Sequence, residues 1–256
     1  MKTKKFILCL MAMLTLSTTQ AAITKEEFDG AIQEMRDLFT EKVAVSSNAK
    51  LVIDGRWEDS TINSYTQKFG EKFIMVIFGG IARHEYMTKD AMKLVACAEL
   101  GHVLGGNPRN TWSTLVGQAD YYATSKCLKI AFKNDDNIAI VKKINVPVTV
   151  SVKCGDAFES REQKALCIRS ALAGISLANL LSSLNPQSPK VSIDTPSKEV
   201  ASQTKPYHPD VQCRLDTYVA GAQCDSNLND DHDQDFGFCE TGTPAGRPLC
   251  WFNPAN

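Results

Sequence analysis

Cys97-Ala98-Glu99-Leu100-Gly101-His102, continued by Val103-Leu104-Gly105-Gly106, decides how the rest of the chain is read. Thr88 stands where a helix N-cap belongs, and Gly105-Gly106 with Pro108 supplies a stop, so the spacing predicts one helix over Lys89–Leu104. On that helix residues 98 and 102 share a face, because four residues make little more than one turn. In the pattern H-E-x-x-H, two histidines at this spacing grip a zinc ion while the intervening glutamate takes a proton from the metal-bound water. Here the first of those positions is Ala98, whose methyl group cannot ligate a metal. Glu99 and His102 are therefore two parts of a three-part device.

Lys2, Lys4 and Lys5, the apolar run from Phe6 to Leu16 and then Thr19-Gln20-Ala21 have the layout of a secretory signal over residues 1–21. The run is too short to span a bilayer, and Cys9 within it is too near the start to be a lipoprotein cysteine. The mature product is expected to be periplasmic or secreted, with no stable membrane span. Cleavage after Ala21 would leave 235 of the 256 residues, with 25 basic against 29 acidic side chains. That balance argues against a nucleic-acid partner. Such a length can bury one sizeable core, or one core and a small cystine-rich appendage.

Eight cysteines follow the signal: Cys97, Cys127, Cys154, Cys167, Cys213, Cys224, Cys239 and Cys250. An even count in an exported chain reads as four disulfides. Cys154 and Cys167 are close in sequence, and Cys97 and Cys127 fall on the two helices that flank the candidate site, so each couple is expected to pair. The last four cysteines leave three pairings open. The alternative for Cys97 is a buried free thiol.

Outward from the motif, Thr24-Lys25-Glu26-Glu27 is a capping box that opens a helix with Phe28, Ala31, Ile32, Met35, Leu38 and Phe39 on one side. Leu51-Val52-Ile53-Asp54-Gly55 reads as a strand and turn, and Lys72–Phe78 as a nearly all-apolar strand ending at Gly79-Gly80. A helix over 111–130 is predicted from the spacing of Trp112, Leu115, Ala119, Tyr122, Ala123 and Leu128. Residues 146–152 look extended, with Pro147 confining them to a sheet edge. A long helix over 160–184 carries Leu166, Ile168, Leu172, Ile175 and Leu180, and its charges Arg161, Glu162, Lys164 and Arg169 mark it as a core helix rather than a membrane anchor. Prolines at 186, 189, 196, 206 and 209 make residues 185–209 a wrapped loop or linker, and a cystine-rich extension follows over 210–256. The expected class is α+β.

Three stretches carry a resemblance. Phe78-Gly79-Gly80-Ile81-Ala82-Arg83-His84, the motif segment from Cys97 to Gly106, and Gly117-Gln118-Ala119-Asp120-Tyr121-Tyr122-Ala123 resemble bacterial secreted gluzincin-type metallopeptidases. These are relatives of the prenyl-protein-protease-like zinc peptidases. Members of that group usually read C-H-E-L-G-H-H-L-G-G and later E-G-Q-A-D-Y-Y-A-T-x-K-C-L. The likeness covers residues 63–128, and Gln212-Cys213-Arg214-Leu215-Asp216-Thr217 with Arg247-Pro248-Leu249-Cys250-Trp251-Phe252 looks like the same group's tail. The resemblance implies a zincin-like domain over 22–184, its active-site helix packed under a small sheet. It also implies Glu99 as general base, His102 as a metal ligand and Asp120 as the carboxylate that steadies a ligand histidine. The strand Lys72–Phe78 becomes the sheet edge where a substrate backbone docks.

The departures from the pattern fall on the metal. By this alignment Ala98 replaces the first histidine ligand and Val116 the glutamate ligand of the second helix, which leaves only His102 of three. One imidazole cannot hold zinc against water, and without the ion nothing lowers the pKa of a bound water. The expectation is a catalytically inactive homologue, a pseudopeptidase with Glu99 and His102 as vestiges and no cofactor. It would bind a peptide or protein partner, an active metallopeptidase relative included, through a retained groove. One alternative is an active zinc peptidase using non-standard ligands around His102, such as Asp120 or His84. Another is a purely structural secreted protein in which Glu99 and His102 are only a polar pair on a helix. The acidic run Asp225-Ser226-Asn227-Leu228-Asn229-Asp230-Asp231-His232-Asp233-Gln234-Asp235 partly fits a calcium loop. It has Asp230 at the turn glycine and Phe236 at the bidentate glutamate, so a solvated loop is expected there instead of a calcium site.

Overall fold

The capping box at Thr24 forms as the sequence implies. Its hydroxyl accepts from the Glu27 N–H at 3.2 Å, and the Glu27 carboxylate accepts from the Thr24 N–H at 2.9 Å. In the computed structural model, which describes residues 23–185, 187, 189–226, 228 and 239–255, helix α1 (Lys25–Ser47) buries Phe28, Ala31, Ile32, Met35, Phe39 and Val43. The signal-type segment 1–21 and most of the acidic run 225–235 lie outside the described residues.

Strands β1 (Lys50–Arg56), β2 (Ser64–Phe69) and β3 (Lys72–Phe78) make one sheet in the order β1-β3-β2. β1 runs parallel to β3, and β2 antiparallel to it. The apolar run Lys72–Phe78 is therefore the central strand, with Phe73, Met75, Val76, Ile77 and Phe78 buried, which corrects its expected place at the edge. A strand covered on both faces is apolar throughout, whereas β2, reading Ser-Tyr-Thr-Gln-Lys-Phe and half exposed, is one of the two edge strands, β1 being the other.

After the short helix α2 (Gly79–Ala82) comes α3 (Lys89–Leu104), capped by the Thr88 hydroxyl, which accepts from the Ala91 N–H at 3.1 Å. A two-residue tip then joins β4 (Arg109–Asn110) to β5 (Ser113–Thr114) in a hairpin. A single rod follows: α4 (Val116–Tyr122), a π-helical turn (Ala123–Cys127) and α5 (Leu128–Phe132). The helix expected over 111–130 thus starts later, at Val116 with Leu115 as its N-cap, because residues 109–114 pair with each other first.

The remaining helices are α6 (Asn137–Val141), α7 (Val148–Ala157), α8 (Arg161–Ser183) and α9 (Val211–Gln223). Residues 146–152, expected to be extended, are helical from Val148 onward. Pro147 serves as N-cap with φ −56°, a value compatible with helix entry. Val150 and Cys154, four residues apart, are the buried positions of α7, and Cys154 is bonded to Cys167 of α8. Helical packing on α8 here overrides the β-branched composition. By length and composition α8 could cross a membrane, yet it buries Arg169, whose guanidinium grips Asp90 through two bonds of 2.7 and 2.9 Å and Asp135 at 2.8 Å.

The protein is mixed α+β, 50% helical and 11% strand, with the disulfides Cys97–Cys127, Cys154–Cys167, Cys213–Cys250 and Cys224–Cys239. Cys97 is thus no free thiol, and the tail pairing left open by the sequence is resolved. Four disulfides fit an oxidising, extracytoplasmic environment.

One close approach sets the geometry around the motif. A Cβ on Gly101 would lie 2.5 Å from the Ala119 carbonyl oxygen and 2.8 Å from its Cα, so α3 and α4 cross with backbone against backbone. Gly101→Ala is expected to lower stability by about 1–3 kcal/mol through overpacking, read by urea denaturation. Gly155→Ala on α7, where an added Cβ meets nothing within 4 Å, should be neutral or slightly stabilising. Equal effects at the two positions would show that the crossing is not tight.

Candidate functional site

The sequence-predicted positions lie on α3 and α4, the two helices that cross at Gly101. Ala98, His102 and Val116 are half-buried, while Glu99 and Asp120 are buried, 8% and 1% exposed. His102 Nδ1 is 2.8 Å from the Thr114 carbonyl oxygen of β5. A carbonyl only accepts, so Nδ1 carries a proton. The Ser113 hydroxyl, 3.2 Å from Nδ1, donates to the same carbonyl.

Glu99 turns toward the sheet. Its carboxylate accepts from the Ser64 hydroxyl at 2.7 Å and from the Thr66 hydroxyl at 3.0 Å, both on β2. Burial pushes its pKa up, and the opposing pull of His102, the two hydroxyls and Arg214 does not cancel the effect. With both oxygens engaged, Glu99 ties the edge strand to the motif helix.

Asp120 is held by α9. Arg214 of α9 binds it through Nε–Oδ2 at 2.7 Å and Nη2–Oδ1 at 2.9 Å, and the Tyr218 hydroxyl donates to Oδ1 at 2.8 Å. Burial works against the Arg214 charge, but Asp120 and Tyr218 outweigh it and raise the guanidinium pKa. Burial likewise holds the Tyr218 phenol well above its usual value.

His208, which no spacing in the sequence singled out, shares this electrostatic neighbourhood. It stands two residues before Asp210, the N-cap of α9. Burial lowers its pKa, Arg214 and His102 act in the same direction, and Asp120 opposes them. His84 is elsewhere: its Nδ1 accepts from the Tyr86 N–H, and its Nε2 is 3.3 Å from the Ser183 hydroxyl at the end of α8. It precedes the N-terminus of α3, and about 20 Å of helix axis separates that end from His102.

Among the described residues no group of three His, Cys, Asp or Glu side chains is placed to hold a metal ion. Ala98 and Val116 offer no ligand atoms, and the Asp120 oxygens belong to Arg214 and Tyr218.

Beside α3 lies β2, an edge strand of the sheet. The Phe78 N–H bonds the Asn63 carbonyl at 3.3 Å, so by alternation Tyr65, Gln67 and Phe69 exchange backbone bonds with β3. Ser64, Thr66 and Lys68 then direct their N–H and C=O groups outward, and among the described residues no strand pairs with that edge.

Two outcomes follow from the buried charges. Asp120→Asn leaves Arg214 without its counter-charge and is expected to cost about 3–5 kcal/mol in urea titrations; a loss below about 1 kcal/mol would mean that the pair is solvent-screened. Glu99 holds its proton more tightly folded than unfolded. Its contribution is therefore fully present below the ordinary value of 4.5 and is lost as pH rises through the raised folded value. The stability of Glu99→Gln relative to the natural chain should accordingly grow with pH from 4.5 to neutrality, and a constant difference would contradict this. No family model matches the chain, and neither does any curated protein or solved structure.

Proposed function

We propose that the protein is an exported, catalytically inactive homologue of the secreted gluzincin-type zinc peptidases, with a zincin-like arrangement of motif helix and small sheet. Its function is to bind an extended peptide, or an extended segment of a protein partner, along the free edge of β2. The observation that carries this is the juxtaposition of an unpaired, outward-facing strand edge with a motif helix whose ligand positions are Ala98 and Val116. Binding would proceed by strand addition, the incoming backbone exchanging hydrogen bonds with Ser64, Thr66 and Lys68. Glu99 serves as an anchor for that edge through Ser64 and Thr66.

Elemental mass spectrometry on the purified chain tests the loss of catalysis. The natural protein should carry no stoichiometric zinc, and the Ala98→His/Val116→Glu variant about one ion per chain. Peptide hydrolysis by the natural protein that disappears with a chelator and with Glu99→Gln would return it to the active enzymes.

Peptides selected on the protein from a random linear library test the edge. They should be lost on Thr66→Pro, which deletes an outward N–H without touching the β2–β3 ladder, and retained on Thr66→Val, which removes only the hydroxyl. Peptides indifferent to Thr66→Pro would sink strand addition.

A further inference from the structure

We propose that the free edge of β2 ends in a carboxylate-recognising pocket, which takes a large apolar or aromatic residue of the bound strand together with an adjacent carboxylate. The proposal rests on strand addition at β2 as argued above.

β2 and α3 advance in step. Ser64 and Thr66 bond Glu99, and two residues further along the strand Lys68 meets the region of Val103, one helical turn beyond Glu99. Two strand residues span about 6.6 Å and one helical turn about 5.4 Å, so the two elements stay in register over this distance. There a pocket of about 920 Å³ opens, with Lys68, Arg109, Phe73, Trp112, Val103 and Leu104 in its wall. That volume suits a ligand group larger than one side chain.

The lining is chemically one-sided. Its charged residues are Lys68 and Arg109, both cationic, with no carboxylate beside them in the wall. Among the described residues no ion pair engages either. Arg109 spends one weak bond, Nε to the Gly106 carbonyl at 3.4 Å. Lys68 Nζ lies 5.5 Å over the Phe73 ring, and that ring is 5.6 Å from the Trp112 ring. Two unpaired cations beside an aromatic pair suit an anion attached to an apolar body.

The hairpin tip is built to hold this wall. Thr111 has φ 44°, a left-handed conformation that a β-branched residue rarely adopts, at the corner that presents Trp112 to Phe73. The base of the same hairpin carries the Thr114 carbonyl that holds His102, so one hairpin supports both the pocket and His102. The carboxylate could come from a free C-terminus or from an Asp or Glu side chain, and the chemistry recognised is the same.

Fluorescence anisotropy with dansylated peptides tests this on the full chain. The probes are dansyl-Gly-Phe and dansyl-Thr-Val-Thr-Gly-Gly-Phe, each as free acid and as amide, with the hexapeptide amide extended by one Glu. The free acids should bind about tenfold more tightly than the amides, as a charge-assisted bond implies. Lys68→Gln/Arg109→Gln, at a surface site that leaves folding intact by circular dichroism, should erase the difference. Tight binding of the Glu-extended amide supports the pocket with a side-chain carboxylate as a source, and weak binding beside a tight free acid supports it with the C-terminus as the source. Acids and amides that bind alike, or no binding by any probe, would overturn the proposal. Persistence of the acid preference in the dipeptide, without tighter binding of the hexapeptide, would uphold the pocket and reject strand addition. Hexapeptides that bind regardless of their terminal charge would do the reverse.

Discussion

The contact of Gly101 with the Ala119 backbone is the constraint on which the rest of the site depends. Only with no Cβ at 101 can α3 and α4 cross so closely, and only that crossing sets positions 98 and 102 against 116 and 120. The Cys97–Cys127 bond staples the same pair of segments one turn away on α3. A second close approach extends the stack, since a Cβ on Gly117 would meet the Trp251 ring at 2.3 Å. The C-terminal segment, tied to α9 by Cys213–Cys250, is therefore part of what holds α4 in place.

Charge completes the clamp on α3. At its N-terminus Asp90 is bonded to the buried Arg169, which also lies 3.8 Å over the Phe132 ring. Beyond its C-terminal half, Arg214 and Tyr218 hold Asp120 on α4. Burying such ions is costly, and each is accompanied by further hydrogen bonds that fix one arrangement. Glu99 follows the same logic. Bonded to two hydroxyls of β2, it joins helix to sheet edge, and a residue type that serves as a base in one context becomes a strut in another.

Local signals in the sequence were legible where the physics is local. The capping box at Thr24, the Thr88 cap and the apolar run of β3 each follow from neighbours within a turn or a strand. β2 gave no such signal, because an edge strand with a polar face lacks an apolar stripe. Residues 146–152 misled through β-branched composition, which a disulfide and packing on α8 overrode. His208 and Arg214 could not be placed, since their roles arise from α9 meeting α4 across a long stretch of chain.

Ala98 and Val116 needed no coordinates to be read: a methyl or isopropyl group is not a metal ligand in any fold. The eight cysteines, the helix over Lys89–Leu104 and the α+β class were likewise set by residue chemistry and spacing. Which strands form the edges, which tail cysteines pair and what Asp120 binds were decided only in three dimensions. Those outcomes depend on which surfaces exclude water together and which charges must then find a partner, and neither is encoded at any single position.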